Sequence, residues 1–121
     1  MRFVMIAICC LFLSMPGAFA GEADVEKVKI SKESAGSYRF DVTVRHDDKG
    51  WNHYANKWEV VAPDGKVLGT RVLAHPHENE QPFTRSLGGV KIPAGIEKVR
   101  VRAYDSMHGP GGDEQEVVVP K

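Results

Sequence analysis

Between Tyr38 and Arg45 the chain alternates strictly between apolar and polar residues, and no other pattern in the sequence limits the fold as much. The apolar positions are Tyr38, Phe40, Val42 and Val44, and the residues between them are Arg39, Asp41, Thr43 and Arg45. A period of two residues is that of a β-strand, and a single apolar face predicts an antiparallel sheet that covers a core on one side. His46 continues the apolar phase at the end of this strand.

Similar signals along the chain predict seven strands and no helix. The strand segments are 23–30, 38–45, 54–61, 66–73, 83–87, 97–104 and 115–119, and segment 83–87 has the weakest pattern. Turn residues separate the strands, most clearly at Pro63-Asp64-Gly65, where Pro presets φ and Gly accepts a positive φ. Trp58 is the candidate core tryptophan. Seven short strands in about 100 residues predict an immunoglobulin-like antiparallel β-sandwich, with a small barrel as the alternative.

Residues 1–20 have the pattern of a secretory signal peptide. A basic start precedes an apolar run over residues 3–13, which is too short to span a bilayer. Ala18-Phe19-Ala20 then matches the small-x-small cleavage pattern, and Gly21 follows. We therefore expect cleavage after Ala20, export to the periplasm and a single domain over residues 21–121. The alternative is a retained membrane anchor.

The domain that remains after cleavage has little net charge and no cysteine. Removing Arg2 with the leader leaves 15 basic and 16 acidic residues, a net charge of −1. This balance gives no support for nucleic-acid binding or for a basic membrane-surface patch, and we expect no stable membrane insertion after cleavage. Cys9 and Cys10 leave with the leader, so no disulfide stabilises the domain. The bulky Ile6 and Ile8 before them argue against lipid attachment.

All five histidines fall in connections that the strand count places at one end of the sandwich. If successive strands alternate in direction, the second, fourth and sixth connections, residues 46–53, 74–82 and 105–114, share a pole. The residues of interest in these connections are His46, His53, His75, His77, His108 and Met107. The prediction depends on strand 83–87, because without it the last histidine moves to the opposite pole.

The shared pole predicts a transition-metal site centred on His75 and His77. In an extended segment the side chains at i and i+2 project to one side, and Pro76 between the two histidines stiffens the backbone. Imidazole binds copper and zinc, and the thioether of Met107 additionally suits cuprous copper. The other candidates are a third imidazole from His46, His53 or His108 and a supporting carboxylate from Asp105 or Glu78.

The same pole has three other interpretations. The histidines could be solvated, or could hydrogen-bond the backbone and stiffen the loops. A metal-free module could bind a protein or a glycan through Trp51, Tyr54 and Tyr104, although Tyr54 is also a candidate core residue beside Trp58. Hydrolysis is not favoured because no nucleophile-elbow motif surrounds Ser86 or Ser106, and we expect no enzymatic activity.

Arg85 has two interpretations of its own. Its guanidinium group could bind a carboxylate or phosphate of a ligand. It could instead pair with a nearby acid such as Glu80 or Asp105 and hold the long loop in place.

Three motifs in the middle of the chain carry a family resemblance. They are GWxHYAxxWEVV at residues 50–61, PDG at 63–65 and HPHxxEQPFTRSL at 75–87. With the residues between them, they resemble a family of small exported bacterial proteins of uncharacterised function, over nearly the whole predicted domain. The resemblance implies an immunoglobulin-like β-sandwich. It implies no activity, ligand or site residue.

Overall fold

The protein is built from strands arranged in two antiparallel sheets, as seen in a computed structural model that describes residues 21–121. The predicted leader lies outside the described residues. The strands are β1 (Asp24–Ser34), β2 (Ser37–Arg45), β3 (Ala55–Val61), β4 (Val67–Val72), β5 (Phe83–Lys91), β6 (Lys98–Asp105), β7 (Gly109–Pro110) and β8 (Gln115–Val118). Within residues 21–121, no helix is long and apolar enough to cross a membrane.

One sheet has the order β1-β2-β5, and the other has the order β4-β3-β6 with β7 and β8 paired in turn along the remaining edge of β6. All of these strand pairs are antiparallel. The two sheets form a sandwich, so the predicted fold class is confirmed. The connections between β2 and β3 and between β4 and β5 each lead from one sheet to the other.

The core lies between the sheets and follows the alternation of the sequence. The inward positions of β2 and β6 are buried, namely Tyr38, Phe40, Val42, Val44, Val99, Val101 and Ala103. Trp58 of β3 is fully buried among them, as predicted, and Phe83 of β5 joins the same core. Burial of apolar surface of this kind contributes about 25 cal/mol per Å², and it is the main stabilising term in a domain without a disulfide.

The strands differ from the predicted ones in three respects that affect the pole and the core. The weak strand at 83–87 is real and extends to Lys91 as β5, so part of the expected connection after it is strand. The sixth connection contains the two-residue strand β7, which pairs with the end of β6. A register shift in β3 between Ala55 and Lys57 inserts one extra residue against β6. This bulge places Ala55, rather than Tyr54, in the core, and Tyr54 is only half-buried.

Contacts between loops confirm the predicted shared pole. The His46 amide donates to Gln81 Oε1 at 2.9 Å and joins the second connection to the fourth. The Ser106 amide donates to the Tyr54 carbonyl at 2.9 Å and joins the sixth connection to the second. At the other end of the sandwich, the Ile92 amide donates to the Gly36 carbonyl at 3.0 Å and joins the remaining turns.

Candidate metal centre

In each sheet a polar residue faces the core at the end of a strand, His46 directly after β2 and Asp105 as the last residue of β6. His46 follows Val44 by two residues and continues the inward phase of β2, and its side chain is fully buried. Asp105 follows Ala103 in the same way at the end of β6, and its side chain is also fully buried. The strand period thus carries an imidazole and a carboxylate to the same end of the core. Buried groups of this kind need a partner that compensates for the loss of water.

His53 joins this pair from the loop between β2 and β3. One ligand atom from each of His46, His53 and Asp105 lies within 4.8 Å of the others. The His46 Nε2–Asp105 Oδ2 distance is 3.8 Å, and the His53 Nε2–Asp105 Oδ1 distance is 3.5 Å. Two ligands of a tetrahedral ion with bonds of about 2.0–2.1 Å lie about 3.3 Å apart. Each of the two imidazole–carboxylate distances exceeds that separation by only about 0.5 Å or less.

A third imidazole ring and a backbone oxygen complete the cluster. Nδ1 of His108 is 3.0 Å from Asp105 Oδ1. The carbonyl oxygen of Gly21 lies 2.8 Å from His46 Nε2, 3.0 Å from His53 Nε2 and 3.2 Å from His108 Nδ1. Three imidazole nitrogens thus converge on one oxygen, which has only two lone pairs to accept hydrogen bonds. The cluster is open to solvent on the side of His53 and His108, whose side chains are 20% and 41% exposed.

Asp48 orients the central histidine. Its Oδ1 is 2.5 Å from His46 Nδ1, so the nitrogen that remains for the cluster is Nε2. The same carboxylate accepts hydrogen bonds from the Ala55 amide at 3.1 Å and from the His77 amide at 2.6 Å. A carboxylate that holds the far nitrogen of a ligating histidine is the usual support of a metal-binding imidazole.

Asp105 is also fixed in position, by backbone hydrogen bonds from the loop that follows it. The backbone amides of Met107 and His108 donate to Asp105 Oδ1 at 2.8 and 2.6 Å. These bonds fix the carboxylate as an acceptor that faces His46 and His53. The sequence predicted Asp105 as a supporting group, and the structure places it within the group of ligand atoms itself.

The pair expected at the centre, His75 and His77, lies beside the cluster. The His77 ring is buried and stacks on Phe83 with centroids 4.0 Å apart. Its Nδ1 is 3.9 Å from Asp48 Oδ2 and has no hydrogen-bond partner among residues 21–121. Burial, with the positive charge of Arg85 next in effect, holds the pKa of His77 below its usual range. The His75 ring is exposed, 4.6 Å from that of His77, and its Nδ1 contacts the Pro76 carbonyl.

The remaining predicted site residues surround the cluster at the surface. Met107 is 64% exposed, and its backbone amide donates a hydrogen bond to Asp105 Oδ1. Glu78 is exposed. Arg85 pairs with Glu80 at 2.9 Å, one of the two acids expected as its partner. Its hydrogen bond is the main cause that lowers the pKa of Glu80.

The aromatic residues of the alternative interpretation occupy two different settings. Trp51 is 65% exposed and meets Tyr54 edge to face at 5.6 Å. Tyr104 instead donates its hydroxyl to Glu59 at 2.9 Å, beside Lys57 and Arg102 on the outer face of the β3–β6 sheet. Only Trp51 and Tyr54 are therefore in contact with each other.

Sequence reasoning left out two groups that the structure brings into the cluster. Asp48 was not among the predicted site residues, since its burial follows from the path of the second connection. Gly21 takes part through its backbone. The one signal for it was its place directly after the predicted cleavage pattern. The phase of β6 was the available signal for Asp105, because it is the next inward position after Ala103.

Comparisons with known proteins support the fold and an exported family. No family model matches the chain. A protein of Halomicrobium mukohataei named "Putative lipoprotein" is 41% identical over 91 residues, which cover 75% of this chain and 44% of that protein. The chain thus spans less than half the length of that relative, whose name supports an exported family of uncharacterised function. The crystal structure of hypothetical protein PH1083 from Pyrococcus horikoshii OT3 matches with a TM-score of 0.55 and 16% identity, covering 88% of this chain and 95% of that one. This likeness shows a shared fold.

Proposed function

We propose that this protein is an exported binding protein for a transition metal ion, held by His46, His53 and Asp105 with His108 beside them. The observation that carries the proposal is the convergence of three imidazole nitrogens and one carboxylate at the end of the core. The alternative, a module with outward-facing histidines, has no comparable support, since His46 is fully buried. The proposed compartment is the periplasm, reached by cleavage after Ala20.

The donor set favours zinc or cupric copper. Imidazole nitrogens and a carboxylate oxygen are ligands that both ions accept, and a soft thiolate or thioether would be expected at a cuprous site. Met107, the one sulfur-bearing residue of the described chain, has an exposed side chain. We propose binding rather than catalysis, with the ion itself as the ligand and a further exported protein as its source or recipient.

The test is a titration of untagged protein over residues 21–121 with Zn²⁺ and Cu²⁺ in competition with a chelator of known affinity. His53→Ala and His108→Ala are the informative variants, because both side chains are partly exposed and their loss leaves the core intact. We expect His53→Ala to weaken binding by at least about 10-fold, since even the loss of a supporting group costs 10–100-fold.

His75→Ala is the matched control, an exposed histidine at the same pole that lies outside the cluster. We expect its affinity to stay within about twofold of the unchanged protein, because a surface imidazole is a weak ligand by itself. Circular dichroism of each variant confirms that the fold is kept. Equal affinity of the His53→Ala and unchanged proteins, or a loss confined to His75→Ala, would overturn the proposal.

A further inference from the structure

The N-terminal glycine of the described chain is packed among the proposed ligands. A Cβ added to Gly21 would lie 2.7 Å from His108 Cε1, which would force this ring to shift, and 3.0 Å from His53 Cε1, which is a tight contact. The φ of Gly21 is +107°, which also favours glycine. Its carbonyl oxygen is the point on which the three ring nitrogens converge. The backbone of Gly21 therefore lies in the middle of the imidazole cluster that is proposed to bind the ion.

The cleavage pattern at residues 18–20 places this same residue at the mature N-terminus. Hydrolysis of the Ala20–Gly21 bond adds the hydroxyl of water to the Ala20 carbonyl carbon and leaves a proton on the Gly21 nitrogen. An amide then becomes a primary amine. The lone pair of an amide nitrogen is delocalised into the carbonyl group, whereas that of an amine is free to bind a metal.

We infer that Gly21 is itself a ligand of the metal ion, through its α-amine and carbonyl oxygen, and that cleavage after Ala20 completes the site. This inference rests on the proposed function. The amine and the carbonyl oxygen of one residue close a five-membered ring with an ion that both of them contact. Gly21 has no Cβ, so its backbone can lie directly against the rings of His53 and His108.

Asp48 and Asp105 favour a cation at this position. Both carboxylates are buried, and both accept backbone hydrogen bonds that hold them in place. With Asp105 and the imidazoles on one side and the Gly21 chelate on the other, the ion would have nitrogen and oxygen donors only. Those donors suit zinc and cupric copper, the two ions of the proposed function.

The experiment compares two proteins that differ by one residue, one that begins at Gly21 and one that retains Ala20 before it. Both chains carry a terminal amine, so their net charges are equal, but in the longer chain the Gly21 nitrogen is an amide. We expect Cu²⁺ and Zn²⁺ to bind the longer chain at least 10-fold more weakly. Removable fusion partners that leave these two starts supply the proteins.

A spectroscopic measurement separates ligation from a purely structural effect. Each chain is grown with ¹⁵N-glycine, loaded with Cu²⁺ and studied by electron paramagnetic resonance. We expect the isotope to change the nitrogen splitting in the chain that begins at Gly21 and not in the longer chain. Equal affinities with no isotope effect in either chain would overturn the inference and leave the proposed function standing, provided that His53→Ala still weakens binding. Failure of both chains to bind either ion would overturn both.

Discussion

Replacement of Asp48 by asparagine tests the support of the cluster, because this carboxylate serves three donors at once. Oδ1 accepts from His46 Nδ1 and from the Ala55 amide, while Oδ2 accepts from the His77 amide. An asparagine side chain has one oxygen, so its amino group must face at least one of these donors. In the better orientation the oxygen keeps His46 and Ala55, and the buried His77 amide loses its acceptor.

The expected cost follows from this count. One buried amide without a partner costs about 1–3 kcal/mol, and the bonds that remain lose the benefit of a charged acceptor. We therefore expect Asp48→Asn to lower the free energy of unfolding by about 2–4 kcal/mol, a large part of the 5–15 kcal/mol that is typical of a domain. At a urea slope of about 2 kcal/mol per M, the middle of the usual range, the midpoint falls by roughly 1–2 M.

Urea unfolding followed by tryptophan fluorescence measures this change, since Trp58 is buried in the core. Asp47→Asn is the matched control, the same substitution one residue earlier on a side chain that is 77% exposed and paired with Lys49 at the surface. Its effect should stay within about 0.5 kcal/mol. If the two variants unfold at the same urea concentration, the assigned role of Asp48 is wrong. We also expect Asp48→Asn to weaken Zn²⁺ binding by 10–100-fold through His46.

Three further changes give separate tests. Ser86→Ala removes the hydroxyl that, ahead of Arg39, lowers the pKa of Asp41. A carboxyl group whose pKa is lowered by folding stabilises the folded state at pH values above its unfolded pKa, and this stability is lost as the pH falls. By urea unfolding, the variant should therefore be about 1 kcal/mol less stable than the unchanged protein at pH 7 and equally stable well below pH 4. Met107→Leu should leave Cu²⁺ and Zn²⁺ affinity within about twofold in the chelator titration, and a loss above 10-fold would place the thioether at the ion. Gly65→Ala should cost about 1 kcal/mol in thermal unfolding, because φ is +93° and no atom within 4 Å would contact the new Cβ.

Most of the sandwich could be predicted from local patterns. Tyr38 to Val44 and Val99 to Ala103 alternate in the sequence and are buried in the structure, because the strand period depends only on neighbouring residues. The bulge in β3 could not be predicted this way, since the extra residue is defined by the register of β3 against β6. The shared pole of the histidine loops was predicted from the number of strands. This prediction is correct because the segment with the weakest pattern, 83–87, is part of strand β5.

The sequence predicted a site centred on the histidine pair of the fourth connection, whereas the structure has the cluster at the ends of β2 and β6. His75 and His77 are separated by one residue, but they have different surroundings. The His77 ring packs on Phe83 at the edge of the core, whereas the His75 ring is in solvent. Residue spacing along a loop cannot reveal such a choice, because it depends on which apolar surface the loop happens to cover.

By itself, the sequence determined the class of fold, the inward phase of His46 and the gathering of five histidines at one pole. These features depend on strand period and strand count, which are properties of the chain. Only the tertiary structure decided that His46, His53, Asp105 and the Gly21 carbonyl meet, and that Asp48 supports them. Their meeting depends on the path of three loops and of the N-terminal segment across the end of the sandwich, where residues up to 87 positions apart come into contact.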